Sequence, residues 1–388
     1  MVIYGFEFTL TALVVFGLLL IAFLYQLYFY IRYINGALRL RRKIKRNKVV
    51  FNNESQPVSV IICARNEAIN LRKFLPFILS QDYPDFEVIV VNDGSTDETA
   101  IVLRDMKLEY PNLRSTFVPE GVTNLSTKKL ALTLGVKAAK HEILLFTDAD
   151  CMPEDKFWIA RMARNFTPET EFVLGYGAYL HEKGFVNRLI TYDTFFIALQ
   201  YLGFAKSGKP YMGVGRNMAF RKEVFYKHKG YASNLHLRSG DDDLMVNKAA
   251  NKKNTKIEVS PDSITWSEPK KTFRSWFYQK ERHLAVSSFY TPLSRFRIGI
   301  EPFSRFVFYM ALICIPFIAN IIVISAAIFL YLVRYLVQLI VINRAAKYFK
   351  ERRYYFYILL LDILLPLINL YLLIFGRMGN KSKYIKWK

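Results

Sequence analysis

Phe86-Glu87-Val88-Ile89-Val90-Val91-Asn92-Asp93-Gly94-Ser95-Thr96-Asp97-Glu98 is the stretch that sets the fold. Its first half is short, apolar and β-branched, the pattern of a buried strand rather than a helix. Gly94 permits a sharp turn. Ser95 and Glu98 stand at capping-box spacing, so a helix is expected over 97–109. The same alternation recurs on either side. Strands are expected at Val58–Cys63, Ser115–Val118 and Glu142–Phe146, and helices at Ala68–Leu79 and Lys128–Lys140. Strand–helix–strand repetition implies parallel strands joined by crossover helices. Residues 57–270 therefore read as an α/β domain with a mostly parallel, Rossmann-like sheet. Ligands of such sheets bind at the carboxyl ends of the strands.

The flanks are of another kind. Residues 8–31 are apolar and long enough for about 30 Å of hydrocarbon. This gives a transmembrane helix within 1–32, followed by a basic linker at 33–56. A cleaved leader does not fit, because the basic residues follow the apolar run. Residues 271–302 read as amphipathic interfacial helices, with the clearest one at 272–288. The run 307–342 would be about 54 Å long as one helix. It is therefore read as a hairpin turning near Pro316–Asn320. A last apolar stretch at 354–376 completes two to three spans within 303–377, ahead of a basic tail at 378–388. Asp362 is costly in lipid and is expected to face other helices.

The chain has 388 residues and a net charge of +22. Arg32 to Lys48, Arg344 to Arg353 and Arg377 to Lys388 carry much of the positive charge, and all flank apolar runs. Such clusters mark the cytoplasmic face and attract anionic lipid. No nucleic-acid motif accompanies them. The α/β domain is thus expected on the cytoplasmic face of a multi-pass inner or plasma membrane. The two C-terminal clusters cannot share a side if one span separates them. Cys63, Cys151 and Cys314 form no disulfide framework and fit a reducing compartment.

Three strand ends bring acids to one edge: Glu67 after the first strand, Asp93 after the second, and Asp148 and Asp150 after the fourth. Their mutual repulsion calls for a cation or for ligand donors. Asp148-Ala149-Asp150 offers hard oxygen ligands, suited to Mg2+ or Mn2+ bridged to phosphates. Lys128 opens a helix where an amine and the helix dipole favour a phosphate. Gly240-Asp241-Asp242-Asp243 lies at a helix start, where one carboxylate can serve as a general base while its neighbours cap the helix. Gln279, Arg282 and His283 share a helix face.

Taken in order, these residues resemble the GT-A-fold family-2 glycosyltransferases, which include cellulose, chitin and hyaluronan synthases. The carriers are Ala64-Arg65-Asn66-Glu67, Val90 to Asp97, and Thr147-Asp148-Ala149-Asp150. The resemblance implies that Ala64, Glu67 and Asp93 hold the nucleotide, usually uridine. It places Lys128 near the diphosphate, Asp148 on the nucleotide and Asp150 on the metal. Tyr211 to Asn217, with Gly213, looks like the acceptor-side segment. The family's base aligns with Asp241, with Asp242 as the alternative. Transfer inverts the anomeric centre in one displacement. Where polymer-extending synthases have tryptophan after Gln-x-x-Arg, this chain has His283. That favours transfer of one or a few sugars from a nucleotide-sugar donor to a lipid-linked or glycan acceptor. A processive synthase and a non-catalytic membrane scaffold are the alternatives. Dinucleotide and nucleoside-triphosphate fingerprints are absent.

Overall fold

The computed structural model describes residues 2–3, 6–7, 9–119, 127–232, 235, 237 and 239–375, so the basic tail at 378–388 lies outside the described residues. A two-strand pair, β1 (Val2–Ile3) and β2 (Phe6–Glu7), precedes α1 (Leu10–Phe29). The Thr9 side chain caps α1 by accepting from Ala12 N at 3.1 Å. The helix continues as a π turn over Tyr30–Ile34 and then as α2 (Gly36–Lys45). The expected linker is therefore partly helical. Ala37, Leu38 and Leu40 bury into the core of the α/β domain, while Arg42, Lys43 and Lys45 stay exposed.

The α/β domain then builds β3 (Val58–Ala64), α3 (Ala68–Leu79), β4 (Phe86–Asn92), α4 (Thr99–Glu109), β5 (Leu113–Phe117), α5 (Thr127–Ala138) and β6 (Ile143–Phe146). After these come β7 (Cys151–Pro153), α6 (Trp158–Ala163), β8 (Phe172–Leu174), β9 (Gly177–Tyr179), α7 (Phe185–Lys206), β10 (Met218–Arg221) and α8 (Lys222–Lys227). The last part of the domain holds α9 (Asp243–Ala249), β11 (Thr255–Ile257) and β12 (Thr265–Ser267). Seven strands pair in the order β11-β8-β10-β6-β3-β4-β5, all parallel to their neighbours except β10, which is antiparallel to both β6 and β8. A second sheet, β7-β12-β9, continues from the carboxyl end of β6. The Rossmann-like, mostly parallel sheet is thus as expected. Strands β3 and β4 are buried along nearly their whole length, as crossover helices on both faces require.

The capping box expected at Ser95 and Glu98 does not form. Asn66 adopts a left-handed backbone (φ 56°) and hooks onto the neighbouring turn. Its N–H donates to Ser95 Oγ at 3.0 Å, and its side-chain oxygen accepts from Thr96 N at 2.8 Å. Asp97 takes over the capping, accepting from Thr99 N at 3.0 Å and from Ala68 N at 3.1 Å. The loops after β3 and β4 are thereby stitched into one rigid edge.

Beyond the sheets run α10 (Phe273–Val286), α11 (Pro292–Ile318), α12 (Ile321–Tyr348) and α13 (Tyr357–Phe375). Thr272 and Ser275 form a capping box at the start of α10. The expected boundary at 302/303 falls inside α11, which passes through Pro302 unbroken. The hairpin turns where predicted, with the Asn320 side chain capping α12 at Val323 N (3.1 Å). Thr9 Oγ1 donates to Ile318 O at 3.4 Å, which places the start of α1 beside that turn. Four helices, Leu10–Ile34, Pro292–Ile318, Ile321–Tyr348 and Tyr357–Phe375, are long and apolar enough to cross a bilayer.

A buried polar network ties the bundle together. Asp362 accepts from Arg334 at 2.7 Å and from Gln338 at 3.1 Å, and pairs with Arg305 at 3.2 Å. Arg305 also pairs with Glu301. Gln26 accepts from Arg334 at 3.2 Å and donates to Ser304 Oγ at 2.6 Å. Two cations and two anions cancel, which makes burial of all four tolerable. Asp362 thus faces other helices, as its cost in lipid demands.

The end of α12 returns to the α/β domain. The Arg41 guanidinium lies 4.2 Å from the ring centre of Tyr348. Glu351 is buried, accepting from Tyr176 OH at 2.7 Å and meeting His181 Nε2 at 2.8 Å. The basic cluster 344–353 therefore sits on the side of the α/β domain.

Candidate active site

The carboxyl ends of β3, β4 and β6 meet the start of α5 and the loop before α9. Ala64 closes β3, and its carbonyl accepts from Asp93 N at 2.8 Å, which locks the two strand ends in register. Asp93 is buried, with Arg65 3.9 Å away. Burial raises its carboxyl above the ordinary range, against the pull of Thr127 and Arg65. Glu67 stands at the N-cap of α3, but its side chain accepts from Asn70 at 2.5 Å rather than capping the helix. Burial, and then the charges of Asp150 and Asp148, push the Glu67 carboxyl upward despite that bond.

Lys128 is the hub. Its amine lies 3.3 Å from Asp148 and 3.7 Å from Asp241. It joins the strand-end acids to the acids before α9. The Cys63 thiol stands among them and is pushed up by burial, with Asp148, Asp241 and Asp93 adding to the effect. A cleft lined by Cys63, Lys128, Thr147, Asp148, Gly215, Tyr231, Asp241 and Asp242 runs through this point. The adjoining Lys129 is also fully buried, donating to Ser239 O at 2.9 Å. Burial lowers its amine to about 8. Spacing alone does not set it apart from a solvated lysine. Its signal was position alone, one residue round the helix from Lys128.

The three consecutive acids have separate surroundings. Asp242 is the N-cap of α9, and both its oxygens are taken: Oδ1 by Asp243 N at 2.9 Å and Oδ2 by Gly215 N at 2.6 Å. Asp243 accepts from Tyr290 OH at 2.9 Å. Asp241 keeps its carboxylate in the cleft beside Lys128. Burial presses its pKa upward, but Lys128, Lys129 and Arg282 outweigh that and hold it below the usual carboxylate range. Burial and the adjacent Asp241 charge push Asp242 up to about 6.

On the other wall, Gln279 donates to Tyr179 OH at 3.0 Å, and the Arg216 guanidinium lies 4.2 Å from the Tyr179 ring centre. Arg216 donates to Gly177 O at 3.0 Å, Ala178 O at 3.0 Å and Ser267 Oγ at 3.1 Å, so its position is fixed. Its charge pulls Asp150 down while burial and Asp148 push it up, and the net is upward. Arg282 acts on Asp241 from α10, and its Nε is enclosed without a hydrogen-bond partner. Partial desolvation, followed by the charges of Arg282, Arg216 and Lys128, pulls the His283 imidazole below its ordinary range, although the residue itself is exposed. Gly213 is not on this surface. It is buried, and a Cβ there would lie 3.0 Å from Leu174 and 3.2 Å from Met218 and Val246. Gly215, two residues on, is the glycine that lines the cleft.

Among the described residues, no three His, Cys, Asp or Glu side chains form a ready metal cage. Asp148 and Asp150 are hard donors, and two carboxylates leave room for phosphate oxygens and water. That donor set fits Mg2+ or Mn2+ better than a soft or cage-bound ion.

This sheet with its acid-lined carboxyl edge is a GT-A-type fold, joined here to four helices long and apolar enough to cross a bilayer. The chain belongs to the family-2 glycosyltransferases: Glycosyl transferase family 2 matches residues 59–229 and Glycosyl transferase family group 2 matches residues 148–375. It is 36% identical over 106 residues to glycosyltransferase AglE of Haloferax volcanii, covering 27% of this chain and 33% of that protein. It is 32% identical over 104 residues to the poly-β-1,6-N-acetyl-D-glucosamine synthase of Staphylococcus epidermidis, covering 27% of this chain and 24% of the synthase. These matches span a third or less of either relative. The fold is similar along nearly its full length to the mannosyltransferase PcManGT from Pyrobaculum calidifontis, solved with GDP-mannose and Mn2+. The TM-score is 0.55 at 19% identity, covering 92% of this chain and 99% of that one.

Proposed function

We propose that this enzyme transfers a sugar from a nucleoside-diphosphate-sugar donor to a lipid-linked or membrane-proximal glycan acceptor on the cytoplasmic face. The observation that carries the reading is the Lys128 amine set between Asp148 and Asp241, which supports a single cleft serving donor and acceptor. Ala64, Glu67 and Asp93 line the nucleotide end. Asp148 and Asp150 are the groups that would hold a divalent ion. When bound, that ion would offset charge building on the leaving diphosphate. Lys128 and Arg282 supply fixed positive charge to the same phosphates. Asp241, ionised beside Lys128, takes the proton of the acceptor hydroxyl. The acceptor oxygen then bonds to the anomeric carbon from the face opposite the diphosphate. The nucleoside diphosphate leaves with the electron pair, and the configuration inverts. Both oxygens of Asp242 already accept backbone N–H groups, which favours Asp241 over Asp242 as the base.

The resemblance favours uridine in the donor, whereas the similar PcManGT structure holds GDP-mannose, so the base is best found by experiment. Purified enzyme would be offered UDP- and GDP-sugars with Mg2+, Mn2+ or EDTA. Release of one nucleoside diphosphate that EDTA stops and either ion restores is the expected result. Equal release in EDTA would sink the metal assignment. No release from any donor would return the scaffold alternative.

A further inference from the structure

We infer that α13 does not cross the bilayer but lies in the leaflet on the side of the α/β domain, as an apolar strut between that domain and lipid. Length and composition alone class it with the spans. Its contacts do not. At its start, Tyr357 stacks on Phe185 at 6.4 Å and lies under Arg188 at 4.9 Å, both at the beginning of α7. Near its end, Tyr371 packs on Phe277 of α10 at 6.0 Å. Phe277 is held against the α/β domain, because Gln279 bonds Tyr179 and Lys280 pairs with Asp193 of α7 at 2.7 Å. Tyr357 and Tyr371 are 14 residues apart, about 21 Å along a helix. A crossing helix would carry Tyr371 that far from the domain. Instead one end touches the domain and the other touches α10, which is itself docked on the domain.

The burial pattern agrees. Ile358, Leu361, Leu365, Ile368 and Leu372 form one stripe and belong to the core that also contains Trp276, Val286 and Tyr290. The separate apolar cluster of the bundle draws its buried residues from α1, α11 and α12 alone. On the opposite face Leu360, Ile363, Leu367, Leu370 and Ile374 are exposed. A wholly apolar exposed face, joined to a spanning bundle, is one that acyl chains would cover. Charge supports the same placement. The 344–353 cluster is docked on the α/β domain through Glu351. The sequence after α13 is also basic, and lysine- and arginine-rich flanks are expected on that same side. Three crossings, α1, α11 and α12, then account for the topology, and the conflict between the two basic segments disappears.

Two measurements on the full chain test this. In sealed vesicles, an epitope after Lys388 should be cut by an impermeant protease together with one inserted at Lys252–Lys253. An epitope between Ala319 and Asn320 should show the opposite protection. A Lys388 epitope that shares the protection of the 319–320 epitope overturns the proposal. Should the insertions disturb folding, nitroxides on L360C and I374C, in a background of C63A and C314A, report depth directly. Both should sit shallow and within a few ångströms of one another. A depth difference near 20 Å overturns it equally. Neither readout depends on the sugar-transfer reading.

Discussion

At the scale of single residues, Asp241 and Asp242 are neighbours with different surroundings. One keeps its carboxylate beside Lys128, and the other spends both oxygens on backbone donors. Asp241→Asn should therefore lower kcat by about 10²–10⁴-fold with donor KM little changed, the range expected for loss of a general base. Steady-state transfer assays decide this, and near-normal turnover would refute the assignment. Lys128 gives a pH prediction. Its charge is the largest of those that lower Asp241, so removing it leaves burial opposed only by Lys129, Arg282 and a backbone hydrogen bond, and the carboxyl rises. In Lys128→Met the acid limb of the kcat–pH profile should move upward, so residual activity falls off at a higher pH than in the parent. An unchanged acid limb would contradict the coupling. The strand-end acids and Lys128 were legible in the sequence because a strand followed by a polar turn can be read locally. The Asn66 hook, buried Lys129 and the lining role of Gly215 were not. Each depends on which loop lies opposite, and spacing does not contain that information.

At the scale of elements, β3 to β6 were read to within two residues, since β-branched runs are local signals, whereas the short strands β7 to β12 were not read. Helix boundaries were less legible. The start of α2 was hidden by its basic composition, and α11 runs across the expected boundary at 302/303. The polar network was half legible, in that Asp362 announced a partner but nothing named Arg334 and Arg305. Arg334→Leu would leave Asp362 under-compensated in a buried site, a change that typically costs about 3–5 kcal/mol. Thermal inactivation in detergent should come at clearly lower temperature. The double change Arg334→Leu with Asp362→Leu should recover part of the loss. A double variant no better than the single one would show that the pair is not the source.

At the scale of the whole molecule, the α/β domain and the first helices form one body. Phe29, Tyr33, Ala37 and Leu38 share a core with the sheet, and Tyr33 stacks on Phe204 with ring centres 4.1 Å apart. Removing residues 1–46 should therefore not release a well-behaved soluble enzyme. It should expose the apolar wall of α7 and yield aggregated or inactive protein by size-exclusion chromatography and donor turnover. A monodisperse, active truncation would show that the anchor is dispensable.

The tightest point of that body is where Gly36 meets Gly203. A Cβ on Gly203 would fall 1.9 Å from the Tyr33 carbonyl oxygen, and one on Gly36 would fall 2.6 Å from the Gly203 backbone. Nothing there can swivel. On the proposed function, so close a backbone contact would hold the cleft at a set height over the lipid, like a tool clamped to its bench. A growing glycan would lift its own tip out of reach after a few additions. Product length would then be capped by geometry rather than by waning affinity, and a sharp upper limit in product size would be its signature.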